Sequence, residues 1–202
     1  MNLLEAALRH IVGDLDALGV RWAIVGGLAV SARAEPRTTR DVDVAVAVTC
    51  DEEAEAVVHA LQGRGYLVRT VVEHAGRKRL ATARLVRATP PEVLIDLLFA
   101  SSGIEEEVVS GAERLEILPD FMANVATVGH LLALKILARD DRARPQDLDD
   151  IRALLREATA TDLDVARAAV RLIAQRGFAR DRALVDQLDA VVTDPRHRSG
   201  SA

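Results

Sequence analysis

Two aspartates that alternate with valines are the residues of this chain best suited to chemistry. Asp41 and Asp43 open the segment DVDVAV at residues 41–46. Alternate side chains of a β-strand share a face, so both carboxylates point one way and the valines the other. Two adjacent negative charges repel each other, and a divalent cation such as Mg²⁺ relieves this because it prefers hard oxygen ligands. The pair therefore predicts a metal site.

A glycine pair precedes these aspartates. Gly26 and Gly27 follow an apolar run at residues 22–25, which predicts a buried strand, and they precede a segment of helical character. A turn without side chains lets backbone N–H groups approach a phosphate, and a helix N-terminus favours negative charge. Together with metal-binding carboxylates, this indicates chemistry on a nucleoside triphosphate. The alternative is a tight turn followed by an acidic strand end.

A third carboxylate stands inside an apolar strand. Asp96 is the only polar residue of VLIDLLF, residues 93–99. A buried charge is costly unless it is paired or bound to metal. We therefore expect Asp96 to bind a metal ion. Pairing with a buried arginine is the alternative.

The C-terminal half contributes further charged candidates. Lys135 is the one charged residue of TVGHLLALKILA, residues 127–138, whose apolar character predicts a buried helix. It needs a partner or an anionic ligand there, unless its long side chain reaches the surface. Asp147 and Asp150 lie in the next predicted helix. Asp147 suits the first turn of a helix, whereas Asp150 adjoins the core face.

Hydrophobic periodicity predicts the remaining elements. An amphipathic helix is predicted over residues 2–18, a second from residue 51, a hairpin of strands at 66–72 and 78–86, and helices at 162–175 and 181–192. A short strand is expected near residues 115–118. These elements predict a core over residues 1–120, a helical region over 121–194 and a disordered tail over 195–202.

Composition and charge narrow the class of protein. The chain has 202 residues, of which half are hydrophobic, and its net charge is −5. It has no apolar run long enough to span a bilayer, and Cys50 is its only cysteine, so we expect a cytoplasmic protein without an internal disulfide. Acidity overall argues against indiscriminate nucleic-acid binding. However, residues 64–87 carry seven basic residues against one acid, including Arg77, Lys78 and Arg79.

A glycine pair after a strand, a short helix and then Asp-x-Asp resembles the signature of the DNA polymerase β-like nucleotidyltransferases, and the thirteen residues between Gly27 and Asp41 fit that spacing. Lys135, followed by Asp147 and Asp150 on the next helix, narrows the resemblance to the AbiEii-type and MenT nucleotidyltransferase toxins of bacterial toxin–antitoxin systems. The resemblance covers residues 22–155. It implies an α+β fold, with a polymerase β-like core containing a mixed sheet, followed by a C-terminal helical bundle.

The resemblance also implies a role for each residue. Gly26 and Gly27 would seat the triphosphate, Asp41 and Asp43 would bind metal, and Lys135 would hold phosphate. Asp150 would complete the site, with Asp147 as second choice. Asp96 belongs to the wider superfamily pattern, in which a third carboxylate beside the Asp-x-Asp strand would hold the catalytic metal and help to deprotonate the attacking hydroxyl. Two Mg²⁺ ions and an NTP substrate are implied. Thr39 stands where MenT toxins carry a hydroxyl residue that an antitoxin kinase can modify, although plain turn chemistry is the alternative.

The resemblance implies a tRNA acceptor and a cognate antitoxin partner. Characterised members add nucleotides, often pyrimidines, to the 3′ end of tRNA, which blocks aminoacylation. The resemblance therefore implies a pyrimidine nucleotide as the donor, with CTP as the first choice. The basic segment at residues 64–87 would contact RNA phosphates. Two other classes remain open. One is a small-molecule nucleotidyltransferase of the aminoglycoside or lincosamide type, which would favour an acidic acceptor pocket, and the other is a non-catalytic binding module.

Overall fold

A single mixed sheet organises the chain. The structure is a computed structural model that describes residues 3–88, 92–140 and 146–194. Within these residues, seven strands form one sheet in the order β3-β4-β5-β2-β1-β7-β6. The strands are β1 (Trp22–Val25), β2 (Asp41–Val46), β3 (Tyr66–His74), β4 (Arg79–Arg87), β5 (Leu94–Leu98), β6 (Glu113–Leu118) and β7 (Phe121–Val125).

Helices cover the sheet and form the C-terminal part. The described helices are α1 (Leu3–Ala17), α2 (Gly26–Arg33), α3 (Asp51–Gln62), α4 (Glu105–Ser110), α5 (Val128–Ala138), α6 (Gln146–Glu157), α7 (Ala160–Gln175) and α8 (Leu184–Thr193). None of the helices in this described part is long and apolar enough to cross a membrane.

The centre of the sheet brings three strands together in a fixed register. β2 runs antiparallel to β1, with Val25 opposite Asp43, and parallel to β5, with Asp43 opposite Asp96. β4 continues the sheet antiparallel to β5 and places Arg84 opposite Asp96. Residues opposite each other in a sheet share a face. Asp43, Asp96 and Arg84 therefore form one row across three strands.

The C-terminal helices form around α5. Its first turn is capped by the Thr127 hydroxyl, which accepts a hydrogen bond from the backbone N–H of His130. A capping box at Thr159 and Asp162 begins α7, which packs along α5 so closely that a side chain at Gly129 would meet the backbone oxygen of Asp162 at 2.5 Å. Both helices are buried along this contact. α6 also packs against α5, and it contacts α2 of the core.

The α+β fold class and the mixed sheet are confirmed. The weakly patterned segment after residue 100 contains more structure than expected. It holds α4 and a hairpin of β6 and β7, and β7 pairs with β1. The sheet thus continues to Val125, while the division at residue 120 stays a prediction. The predicted disordered tail, residues 195–202, lies outside the described residues.

Candidate active site

A cavity of about 920 Å³ lies between one face of the sheet and the C-terminal helices. The sheet contributes residues of β2, β3, β4 and β5, and α4, α5 and α6 form the opposite wall. The predicted site residues that line it are Gly26, Gly27, Thr39, Asp41, Asp43, Asp96, Lys135 and Asp147. The fold therefore brings together residues that are more than 100 positions apart in the chain.

The alternation of β2 places its two aspartates in this cavity. Asp41 and Asp43 are half-buried on the cavity face, whereas Val42 and Val44 are fully buried on the other face. The hydroxyl of Thr39 donates a hydrogen bond of 2.9 Å to Oδ1 of Asp41. Thr39 thus lies directly against a predicted metal ligand.

Both glycines are required by close contacts. Gly26 has a left-handed backbone (φ +62°), and a Cβ there would lie 1.8 Å from Oδ2 of Asp43. A Cβ at Gly27 would lie 2.5 Å from the Arg37 guanidinium and 2.8 Å from the Thr39 hydroxyl. Side chains at these positions would therefore displace the polar groups of the site. Both glycines line the cavity at the start of α2, where the first backbone N–H groups of a helix have no partner within the helix.

Asp96 is paired with an arginine. Two nitrogens of the Arg84 guanidinium donate to its carboxylate, with Nε 2.7 Å from Oδ1 and the terminal Nη2 2.6 Å from Oδ2. Asp96 is buried. This hydrogen bond and the charge of Asp96 raise the pKa of Arg84 above its ordinary value, with smaller contributions from Asp41 and Asp43. The arginine pairing that the sequence left open is present beside the Asp-x-Asp pair.

A buried ion-pair cluster joins the core to α5 and α6. Nζ of Lys135 lies 3.0 Å from Asp147 and 2.7 Å from Asp150. Arg37, from the segment between α2 and β2, approaches Asp150 with Nε at 2.7 Å and Nη2 at 3.0 Å. Lys135, Asp147 and Asp150 are all buried. The charges offset one another, which is the condition under which buried ions are tolerated.

The oxygen atoms of the site suit Mg²⁺. Asp41 and Asp43 offer only oxygen ligands, and Gly26 leaves the space that the Asp43 carboxylate occupies. In the described part of the chain, no group of three or more histidine, cysteine, aspartate or glutamate side chains is arranged to hold a metal ion. Asp96 is instead held by Arg84. Its role as a third metal ligand stays a prediction.

The predicted RNA-binding residues lie at the tip of the β3–β4 hairpin and differ in their surroundings. Arg79 pairs with Asp51 at 2.6 Å, and the guanidinium of Arg77 lies 5.9 Å from the centre of the Phe178 ring. Lys78 is exposed in the turn with φ 50°. Arg77 and Arg79 thus already have contacts within the chain, and RNA binding by the three residues stays a prediction.

Sequence reasoning missed Arg37 and Arg84 as site residues. Both line the cavity and each binds a carboxylate that was predicted to act there. Because neither belongs to a short motif, only the pairing of distant strands and helices reveals them. Arg37 was visible only as one of several basic residues before Asp41.

The comparisons with known proteins agree with this geometry. Residues 8–200 match the family model described as "Nucleotidyl transferase AbiEii toxin, Type IV TA system". No curated protein matches the sequence significantly. The fold and the cavity define a nucleotidyltransferase-like protein. The chain belongs to the AbiEii nucleotidyltransferase toxin family, because the match covers nearly its whole length.

Solved structures share the fold at low sequence identity. An antigenic nucleotidyltransferase-like protein from Paracoccidioides brasiliensis is 20% identical, with 93% of this chain and 92% of that chain covered and a TM-score of 0.52. The antibiotic-resistance factor ANT(2″)-Ia, in solution, is 15% identical over 85% of this chain and 92% of that chain, with a TM-score of 0.57. A crystal structure of ANT(2″)-Ia in complex with adenylyl-2″-tobramycin is 17% identical over 83% of this chain and 97% of that chain, with a TM-score of 0.55. The predicted polymerase β-like core is thereby confirmed.

Proposed function

We propose that this protein transfers a nucleoside monophosphate from an NTP to the 3′ end of tRNA and thereby blocks aminoacylation and translation. One observation carries the proposal. Asp41, Asp43, the Gly26–Gly27 turn and Lys135 line a single cavity, in a chain of a nucleotidyltransferase toxin family. A pyrimidine nucleotide, with CTP first, is the donor expected from the resemblance.

In this proposal, the aspartates bind metal, while the glycine turn and Lys135 bind phosphate. Asp41 and Asp43 would hold Mg²⁺, which neutralises the charge that develops on the transferred phosphoryl group and its leaving oxygen. The glycine turn would receive phosphate oxygens on backbone N–H groups. Nζ of Lys135 has three N–H donors and contacts two carboxylates, so that one donor remains for a phosphate oxygen.

Asp150 and Asp147 act in this proposal by holding Lys135. Their carboxylates fix the position of its ammonium group, and Arg37 balances the charge of Asp150. Asp96 would assist in taking a proton from the acceptor hydroxyl once Arg84 releases at least one of its oxygens. The predicted role of Asp96 therefore requires a rearrangement of its pair with Arg84.

Charge around the cavity supports an anionic acceptor. Three of its lining residues, Arg40, Arg84 and Arg180, are exposed cations. A tRNA end carries phosphates, whereas an aminoglycoside is cationic and would favour carboxylates. The second candidate, an antibiotic nucleotidyltransferase, rests on the fold that the chain shares with ANT(2″)-Ia.

Incubation of the purified protein with Mg²⁺ and each labelled NTP in turn tests the proposal. One set of reactions contains total tRNA and the other contains aminoglycosides and lincosamides. We expect label in tRNA, removed by trimming of the 3′ end, and strongest with CTP. Asp41→Ala and Asp43→Ala should each abolish transfer and restore growth of cells that express the protein.

The same experiment can overturn the proposal. Label in the antibiotic and none in tRNA would assign the second function. Full activity of either aspartate variant would show that the metal assignment is wrong. Omission of Mg²⁺ with excess EDTA should stop the reaction in every case.

Membership of a toxin–antitoxin family implies that an antitoxin regulates this protein. We expect a cognate antitoxin partner to silence the enzyme through phosphorylation of Thr39. Its hydroxyl already bonds Asp41, so a phosphate there would add about two negative charges beside the metal ligands. It would repel the triphosphate and compete for the metal.

A further inference from the structure

Exposed apolar side chains are concentrated at one edge of the sheet. The described chain has six large hydrophobic residues that are strongly exposed, and four of them lie on β3 and β5: Leu67, Val71, Val72 and Leu94. The other two, Leu3 and Met122, lie on separate elements, α1 and β7. Exposed apolar patches of this kind mark binding surfaces.

Three of the four residues face the same way as the catalytic carboxylates. Leu94 is opposite Asp41 on the neighbouring strand, and Val72 itself lines the cavity. Leu67 is opposite Val86, which lies two residues from Arg84 on β4 and so shares its face. We call Leu67, Val72 and Leu94 the shelf. It continues the cavity face of the sheet outwards from Asp41 to the open edge at β3.

Cationic groups accompany the shelf. The Arg84 guanidinium, which is partly exposed, lies in its middle and bonds Asp96. Arg40 lines the cavity directly before Asp41, and it takes part in no hydrogen bond or ion pair of the described residues. An apolar surface beside an unpaired guanidinium suits a ligand with flat, weakly polar rings and a negatively charged backbone.

We propose that the shelf is the docking surface for the terminal nucleotides of an RNA acceptor. The bases and riboses would lie against the shelf, and a phosphate near the 3′ end would contact Arg40. This places the terminal hydroxyl at Asp41, where the donor phosphate is expected. The inference rests on the proposed function and adds the acceptor subsite to it.

The position of the shelf favours a substrate over a protein partner. A ligand bound at Leu94 would be adjacent to Asp41. The shelf is continuous with the cavity, because Val72 belongs to both. A chain docked there would therefore enter the reaction centre. Single-stranded RNA can also bind such a surface without base-specific hydrogen bonds, because every base has a flat apolar face.

Substitutions at Leu67 test the shelf outside the catalytic machinery. Leu67→Glu places a carboxylate against the RNA backbone and should raise the KM for tRNA about tenfold, whereas Leu67→Phe enlarges the stacking surface and should lower it. The affinity for NTP, measured by calorimetry, should stay unchanged in both variants. Met122→Glu is the matched control. Met122 is 42% exposed, against 47% for Leu67, and it lies on β7, near the opposite edge of the sheet.

The outcomes separate this inference from the proposed function. If wild-type protein labels tRNA and Leu67→Glu has the same KM as Met122→Glu, the shelf is wrong and the proposed function stands. If Leu67→Glu keeps its KM but no longer binds a cognate antitoxin, the shelf is a protein interface and the RNA assignment is overturned. If wild-type protein labels no RNA at all, both fail. Thermal unfolding of the variants confirms that each is folded.

Discussion

Arg84 holds both carboxylate oxygens of Asp96, at 2.7 and 2.6 Å, across the neighbouring strands β4 and β5. The pair lies one strand away from Asp43. A metal ion that used Asp96 as a ligand would have to compete with a guanidinium for the same oxygens. Asp96 would therefore favour metal binding, whereas Arg84 would weaken it.

Removal of Arg84 should strengthen metal binding without nucleotide if Asp96 is a third ligand. Arg84→Gln frees both oxygens and removes a positive charge near the metal, so Mn²⁺ affinity should rise about tenfold. Electron paramagnetic resonance measures free Mn²⁺ directly. Arg79→Gln is the control, because it breaks a similar pair with Asp51 at the far end of the same strand. Equal affinities in the two variants would exclude Asp96 from the metal site.

A methyl group at Gly26 should abolish transfer for a steric reason. Gly26→Ala places a Cβ 1.8 Å from Oδ2 of Asp43 at a left-handed position. Gly19→Ala has the same backbone strain (φ +66°) with no atom within 4 Å of its Cβ. Both variants should lose roughly 1–2 kcal/mol of folding free energy in urea titrations. Only Gly26→Ala should lose activity, and equal activity would refute the close contact.

Loss of the Asp150 charge should destabilise the protein. Asp150→Asn leaves Lys135 and Arg37 without one of their carboxylate partners, and breaking a buried ion pair costs about 3–5 kcal/mol. Asp149→Asn, one residue away with a 74% exposed side chain, should change the free energy of unfolding by about 1 kcal/mol or less. Chemical denaturation compares the two. Similar stabilities would contradict the buried cluster.

Lys78 should account for most of the RNA contact made by the hairpin tip. It is exposed, whereas Arg79 pairs with Asp51 and Arg77 lies over Phe178. Lys78→Gln should reduce the slope of log affinity against log salt concentration by about one, the change expected for one phosphate contact. Filter binding at several salt concentrations measures the slope. A larger effect from Arg79→Gln than from Lys78→Gln would reverse this order.

Phosphorylation of Thr39 should silence transfer. Thr39→Glu, an imperfect mimic, should reduce activity strongly, and Thr39→Val should escape modification while it loses the hydrogen bond to Asp41. Mass spectrometry of protein produced with and without its antitoxin detects an added phosphate. Thr38→Val, at the exposed neighbouring position, controls for the site. An inactive complex without added phosphate would indicate physical sequestration instead.

The features that could be predicted from sequence are the local ones. Alternation with valine fixed the common face of Asp41 and Asp43, since the period of a strand is two. The apolar surroundings of Lys135 predicted a buried cation that needs partners, and Asp147 and Asp150 supply them. For Asp147, a place in the first turn of a helix was almost a full explanation, yet its side chain also pairs with Lys135 and is only 1% exposed.

Features that depend on strand register or on the packing of separate elements could not be predicted. Arg84 reaches Asp96 through the register of β4 on β5, and Arg37 reaches Asp150 through the packing of α6 on the core. Neither register nor docking leaves a periodic pattern in the sequence. β7 escaped for a different reason, because FMANV is short and its exposure alternates imperfectly.

The contact between Arg37 and Asp150 joins residues 113 positions apart. During synthesis, a ribosome releases the Asp-x-Asp strand long before it releases α6. An emerging chain therefore carries its metal ligands for some time without the residue that balances Arg37 or the partners that fix Lys135. We expect the nascent chain to leave the surrounding tRNA unmodified until the C-terminal helices have folded onto the sheet.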